Sequence, residues 1–231
     1  MRRWLLLVLT GVALADREAE IIVVNAMRDY YDTLLGRGSI ESVRDRLVPV
    51  LKQVSPETAK SVRYQIQRGF EKKRNDVTYC RCLCDILAAG GDAGMAVLYK
   101  EYKGSTKHDT LRVAMAESLG ACGDDGALGH LLKMAFDKAP NVAAAAIKAC
   151  GSYPKVKPDK RKAAVRTLVD LYGKVTDDSA GKAPDTPPMK MYTAVRPAMD
   201  ATLKAFTGEA LDSAAAFKAW LQENGTKPWP E

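Results

Sequence analysis

Histidine is almost missing from this chain, which holds only His108 and His130 in 231 residues. Neither has a serine or cysteine nucleophile with a defined partner nearby in sequence, so no catalytic triad assembles. The five cysteines never form CxxC or CxxCH, which leaves out the usual zinc, redox and haem-attachment spacings. GGDAG, from Gly90, is too short for a phosphate loop, lacks a following Lys-Ser or Lys-Thr, and closes a helical pattern rather than a strand. Long apolar runs are missing too: Trp4 to Ala15 covers 12 residues, against about 20 for a spanning helix. No segment alternates apolar and polar residues convincingly, so no strand is expected.

What is present is the composition of an ordinary folded protein, 47% hydrophobic and 27% charged, with a formal charge of +7. The start, MRRWLLLVLTGVALA, has a basic beginning, a short apolar run and a small-x-small end at Ala13-Leu14-Ala15. It predicts a signal peptide over residues 1–15, hence an exported, periplasmic or secreted protein with no membrane span. Two basic runs follow. One carries Lys60, Arg63, Arg68, Lys72, Lys73 and Arg74; the other carries Lys155, Lys157, Lys160, Arg161, Lys162 and Arg166. Each is either a solvated helix face or a seat for an acidic partner, a phosphate-rich polymer or anionic lipid.

The chain also contains an internal echo. YCRCLCDILAAGGDAG from Tyr79 recurs 32 positions on as LRVAMAESLGACGDDG from Leu111, superposing Leu87 on Leu119, Gly91 on Gly123 and Gly94 on Gly126. A weaker third copy, VAAAAIKACG from Val142, places Gly151 over Gly120. A repeat of roughly 30 to 45 residues, apolar on one face and broken by glycine, indicates stacked helical hairpins. The predicted second helices are Ala93 to Lys103, Gly126 to Asp137 and Asp159 to Val175. Before the repeats, stripes at Ile22, Ala26, Tyr30, Leu34 and at Ile40, Val43, Leu47, Val50, Leu51, Val54 predict helices, and Ser55-Pro56-Glu57 opens a third. Residues 16–75 therefore read as an amino-terminal helical cap and 76–175 as the repeats. Residues 176–190, rich in Pro, Gly and Asp, read as a loop. Residues 191–231 supply a last repeat, with Pro197 as a kink or first-turn residue, and a capping helix from Ser213 to Asn224.

The strongest copy, DTLRVAMAESLGACGDDGALGHLLKM from Asp109, resembles the HEAT repeat of bacterial proteins. Asp109, Leu111, Arg112, Ala114, Leu119, Gly120, Gly123, Asp124 and Leu131 carry the likeness, and Leu203, Phe206-Thr207-Gly208 and Trp220 look like the closing segment of exported HEAT proteins. The resemblance implies an all-α fold, a right-handed α-α superhelix built as a HEAT-like helical-hairpin solenoid. It also implies a non-catalytic scaffold for protein or peptide partners, without cofactor. Physically, the alanines permit close helix approach and the aspartate can cap a helix and pair with an arginine of the next repeat.

Within that frame the second helices line a concave face, and Lys100, Lys103, His130, Lys133 and Arg166 are the expected partner-binding residues. The repeat alignment puts Cys82 over Ala114 and Ala145, Cys84 over Ala116 and Ile147, and Cys150 over Leu87 and Leu119, so these three are core fillers. Cys80 falls on Arg112 and Cys122 on Gly90, which predicts exposure for both and makes them the candidate disulfide. Two other functions compete. A basic solenoid is also similar to bacterial DNA glycosylases of HEAT-like fold, although no acid or tryptophan can be assigned to an extruded base and the leader disfavours nucleic acid. The other is an accessory domain assisting an enzyme, as in HEAT-like proteins acting on bilins.

Overall fold

A computed structural model describes residues 14–229, and the described residues form eleven α-helices with no strand. The all-α expectation is met. The predicted leader lies outside the described residues, apart from Leu14 and Ala15 at the start of the first helix.

The chain divides into two compact units, Met1–Thr106 and Lys107–Glu231. The division falls between the first and second copies of the repeat. The first unit holds α1 (Leu14–Leu34), α2 (Ile40–Val50), α3 (Pro56–Lys73), α4 (Val77–Ala89) and α5 (Gly91–Gly104). Three starts are set by short polar side chains: Ser39 accepts from the Ser42 amide, Ser55 from Thr58 with Pro56 in the first turn, and Asp76 from Tyr79. Helix α2 packs on α4, α3 packs on α5, and α4 and α5 form a hairpin. Helix α1 closes one side of this array against α2 and α3. Its buried stripe is Ala19, Val23, Ala26, Tyr30 and Thr33. Of the predicted stripe, Ala26 and Tyr30 are buried as expected, whereas Ile22 is 38% exposed and Leu34 half-buried, their places inside taken by Val23 and Thr33. The α2 stripe lies inside as expected from Ile40 to Leu51, and Val54 is half-buried.

The second unit holds α6 (Asp109–Ala121), α7 (Gly126–Met134), α8 (Pro140–Cys150), α9 (Pro158–Ser179), α10 (Pro187–Thr207) and α11 (Ala214–Asn224). Here α6, α8 and α10 pack in sequence as one layer, and α7, α9 and α11 as the other. Each first helix thus meets the next first helix and each second helix the next second helix, the order expected of stacked hairpins. The repeat glycines explain the turns. Gly91 and Gly123 both adopt positive φ, 66° and 69°, where a Cβ would be strained.

The expected loop over 176–190 is shorter than the composition suggested. Helix α9 continues to Ser179 and α10 begins at Pro187. Ser179 and Val175 are buried on α9, and Pro187 and Pro188 suit a helix start, where a missing amide costs nothing. The early start also moves Pro197 into the interior of α10 rather than its first turn. The terminal segment then folds back. Trp229 donates Nε1–H to the Asn224 carbonyl at 3.0 Å and meets Trp220 edge-on at 5.5 Å between ring centroids.

Candidate interaction surface

In the first unit the second-helix layer consists of α3 and α5. A buried polar tie fixes their register: Glu101, 9% exposed, accepts from Gln67 Nε2 at 3.0 Å and from Arg74 at 3.1 Å. With Glu101 turned inward, its neighbours Lys100 and Lys103 point outward, and both are exposed. Lys103 Nζ stands 5.4 Å from the Tyr99 ring centroid, and Tyr99 stacks on Tyr102 at 5.6 Å, so an aromatic platform holds the ammonium. On α3, Lys60, Tyr64, Arg68 and Lys72 recur every four residues, all exposed, with Tyr64 at 60%. Burial alone lowers the Arg63 pKa from its ordinary value. This basic run therefore presents cations and one aromatic ring together.

In the second unit, His130 and Lys133 lie three apart on α7, half-buried and exposed respectively. Helix α9 packs against α7, and Arg166 on it is exposed. Its guanidinium donates to the Gly225 carbonyl at 3.4 Å. Lys162 does the same to Lys227 at 2.6 Å, and Arg161 donates to the Pro154 carbonyl at 2.9 Å. Arg161 and Lys162 also approach the Trp229 ring, at 5.6 Å and 5.8 Å from its centroid. Arg161 is thus buried against the loop before α9, while Lys162 and Arg166 reach carbonyls around the end of α11, where the helix dipole favours cations. No sequence signal pointed to this use, because the tail residues that accept are backbone carbonyls, which look alike in every sequence.

The interior carries a second ionic device. Arg112 forks between Asp109, at 2.6 Å, and Asp137. Asp137 accepts in turn from the Ala139 amide at 2.8 Å, just before α8. The sequence predicts an aspartate paired with the arginine of the next repeat; here the direction is reversed, and the arginine of one repeat reaches its own Asp109 and the Asp137 that precedes the next first helix. Burial opposes the charge on Arg112, but the two carboxylates outweigh it and raise its pKa.

That arrangement corrects the expectation for Cys80. It was placed at the surface because its counterpart is Arg112, yet Arg112 is itself 8% exposed and Cys80 is 0% exposed. The Cys80 thiol points to the Lys73 carbonyl at 3.2 Å, and burial pushes its pKa up to about 12. Cys82, Cys84 and Cys150 are buried as expected, with pKa values raised by burial, to about 12 for Cys150. Cys122 is half-buried, with Sγ 3.5 Å from the Tyr153 hydroxyl. All five thiols are free, and Cys80 and Cys122 belong to different units. The buried thiols of Cys80, Cys82, Cys84 and Cys150, with pKa values raised by burial, stay protonated at neutral pH and are poor nucleophiles.

Among the described residues no three His, Cys, Asp or Glu side chains gather to hold a metal ion, and no helix is long and apolar enough to cross a membrane. The geometry instead offers fixed cations and aromatic rings on the outer side of second helices, suited to carboxylates and carbonyls. No family model matches the chain, and neither the curated proteins nor the solved structures yield a match to it.

Proposed function

We propose that this chain is an exported, non-catalytic protein-binding scaffold. In this reading it is a HEAT-like helical-hairpin solenoid with a right-handed superhelical path, and its second helices hold a protein or peptide partner. The observation that carries the reading is the layered packing order within each unit, first helix on first and second on second, together with exposed Lys100 and Lys103 on α5 and Lys133 on α7. Extended arrays of this kind present surface rather than an enclosed pocket. Arg166 is exposed on α9 and also donates to the Gly225 carbonyl at 3.4 Å.

The test is capture from the exported fraction with the tagged full chain. Lys100→Glu with Lys103→Glu, and separately Lys133→Glu, should each reduce recovery of the same protein at least tenfold. Lys148→Glu, exposed on the first-helix layer, should not. Equal recovery with all variants, or partners found only in the cytosol, would overturn the reading. A salt-sensitive shift with DNA in place of protein capture would favour the nucleic-acid alternative.

A further inference from the structure

Helix α1 is the edge of the first unit's array, yet its outer face is not polar. Of the seven large apolar side chains exposed among the described residues, three lie on it, Ile21 (48%), Ile22 (38%) and Tyr31 (48%), and a fourth, Leu35 (69%), directly follows its last residue. Ile21, Val24, Arg28, Tyr31 and Leu35 are spaced alternately three and four apart, the seam of a helix that packs lengthwise on another helix. An array needs a polar outer face on its terminal element to stay soluble alone. Contiguous apolar surface of this kind marks a contact.

The charges on the same face say what it contacts. Arg17 and Glu18 stand near the start of α1, and Arg28 and Asp32 towards its end, all exposed. The face is neutral, although the chain carries +7, so two copies of it do not repel. If two α1 helices lie antiparallel with Val24 facing Asn25 of the other copy, Arg17 falls opposite Asp32. Glu18 then falls opposite Tyr31, one turn from Arg28, within reach of its long side chain. The two-fold axis makes each pairing occur twice, and Ile21, Ile22 and Tyr31 lie between them. Asp29 competes little for Arg28, because Arg46 already holds its carboxylate at 2.7 Å, against 3.6 Å for Arg28.

We propose that the outer face of α1 is a homodimer interface, formed with the antiparallel α1 of a second copy. It is independent of the second-helix surface and of any partner held there. Sedimentation equilibrium of the full chain over a concentration series tests it. The wild type should reach twice the chain mass, and Ile21→Glu with Leu35→Glu should weaken association by about tenfold or more. Both sites are exposed, and circular dichroism checks that the variant folds. Arg17→Asp alone and Asp32→Arg alone should each weaken association, and the two together should restore it. A monomer at every concentration, or association indifferent to the apolar pair, would overturn the dimer. Failure of the double charge swap to restore it would overturn the antiparallel register.

Discussion

Gly120, near the end of α6, is a point of close helix approach in the first-helix layer of the second unit. A Cβ built there would stand 2.8 Å from the Ala149 Cβ and 3.2 Å from its Cα on α8. These are backbone-anchored atoms that no rotamer change can move. Gly120→Ala should therefore push two helices apart, an overpacking cost of about 1–3 kcal/mol. The helix-propensity gain of up to about 1 kcal/mol only partly offsets it, leaving a net loss of roughly 1–2 kcal/mol. Gly129, on α7, is the control: a Cβ there meets nothing within 4 Å and φ is ordinary. Gly129→Ala should stabilise by about 0.5–1 kcal/mol. At roughly 2–4 °C per kcal/mol for a chain of this size, the two variants should separate by about 3–12 °C in thermal melts, on opposite sides of wild type. Melts in which both variants rise, or in which Gly120→Ala is the more stable, would refute the claim that α6 and α8 meet backbone to backbone.

Arg112→Met should cost about 3–5 kcal/mol, since it leaves Asp137, with a side chain 4% exposed, buried without its cation; chemical denaturation with an unchanged slope checks this. Arg112→Met with Asp137→Asn should recover part of that loss, and a double variant worse than the sum would count against the pairing. In thiol labelling of the folded chain, Cys122 should react first and Cys80 should stay with Cys82, Cys84 and Cys150 in the slow class. Rapid modification of Cys80 would show that α4 is exposed where the structure buries it. Asp29 has its pKa lowered, mainly by the hydrogen bond from Arg46. A depressed folded-state value means that its contribution to stability is present above the unfolded carboxylate pKa and is lost as pH falls through the folded one. Arg46→Met should move the NMR titration of Asp29 up towards the ordinary value.

The helices were legible because their signals are local. Ser55-Pro56 and Asp76 are caps that work through the next three residues, and the repeat alignment assigned Cys82, Cys84 and Cys150 to the core by comparison with Ala, Ile and Leu. The same alignment misplaced Cys80, because a sister arginine suggests a surface position and Arg112 is a buried ion pair. In α1 the stripe holds at Ala26 and Tyr30 but not at Ile22, since Ile22 and Val23 are both apolar and only the position of α2 and α3 decides which turns inward. Of the candidate contacts, Lys100, Lys103 and Lys133 stand on outer faces as helix position suggested. Arg166 is exposed as well, and its hydrogen bond to the Gly225 carbonyl, 59 residues further along the chain, is a tertiary relation that no local pattern encodes.

The meeting of Trp220 and Trp229 gives the protein an optical asymmetry. Trp4, the third tryptophan, lies outside the described residues, so among the described residues the indole emission arises wholly from the second unit. The first unit carries Tyr30, Tyr31, Tyr64, Tyr79, Tyr99 and Tyr102 and no described tryptophan. With Trp4 replaced by Phe, tryptophan fluorescence excited beyond tyrosine absorption watches the loosening of the tail from α9, while far-ultraviolet dichroism watches every helix at once. Superposed unfolding curves from the two signals would mean that the units melt as one, and displaced curves would give each unit its own stability without cutting the chain.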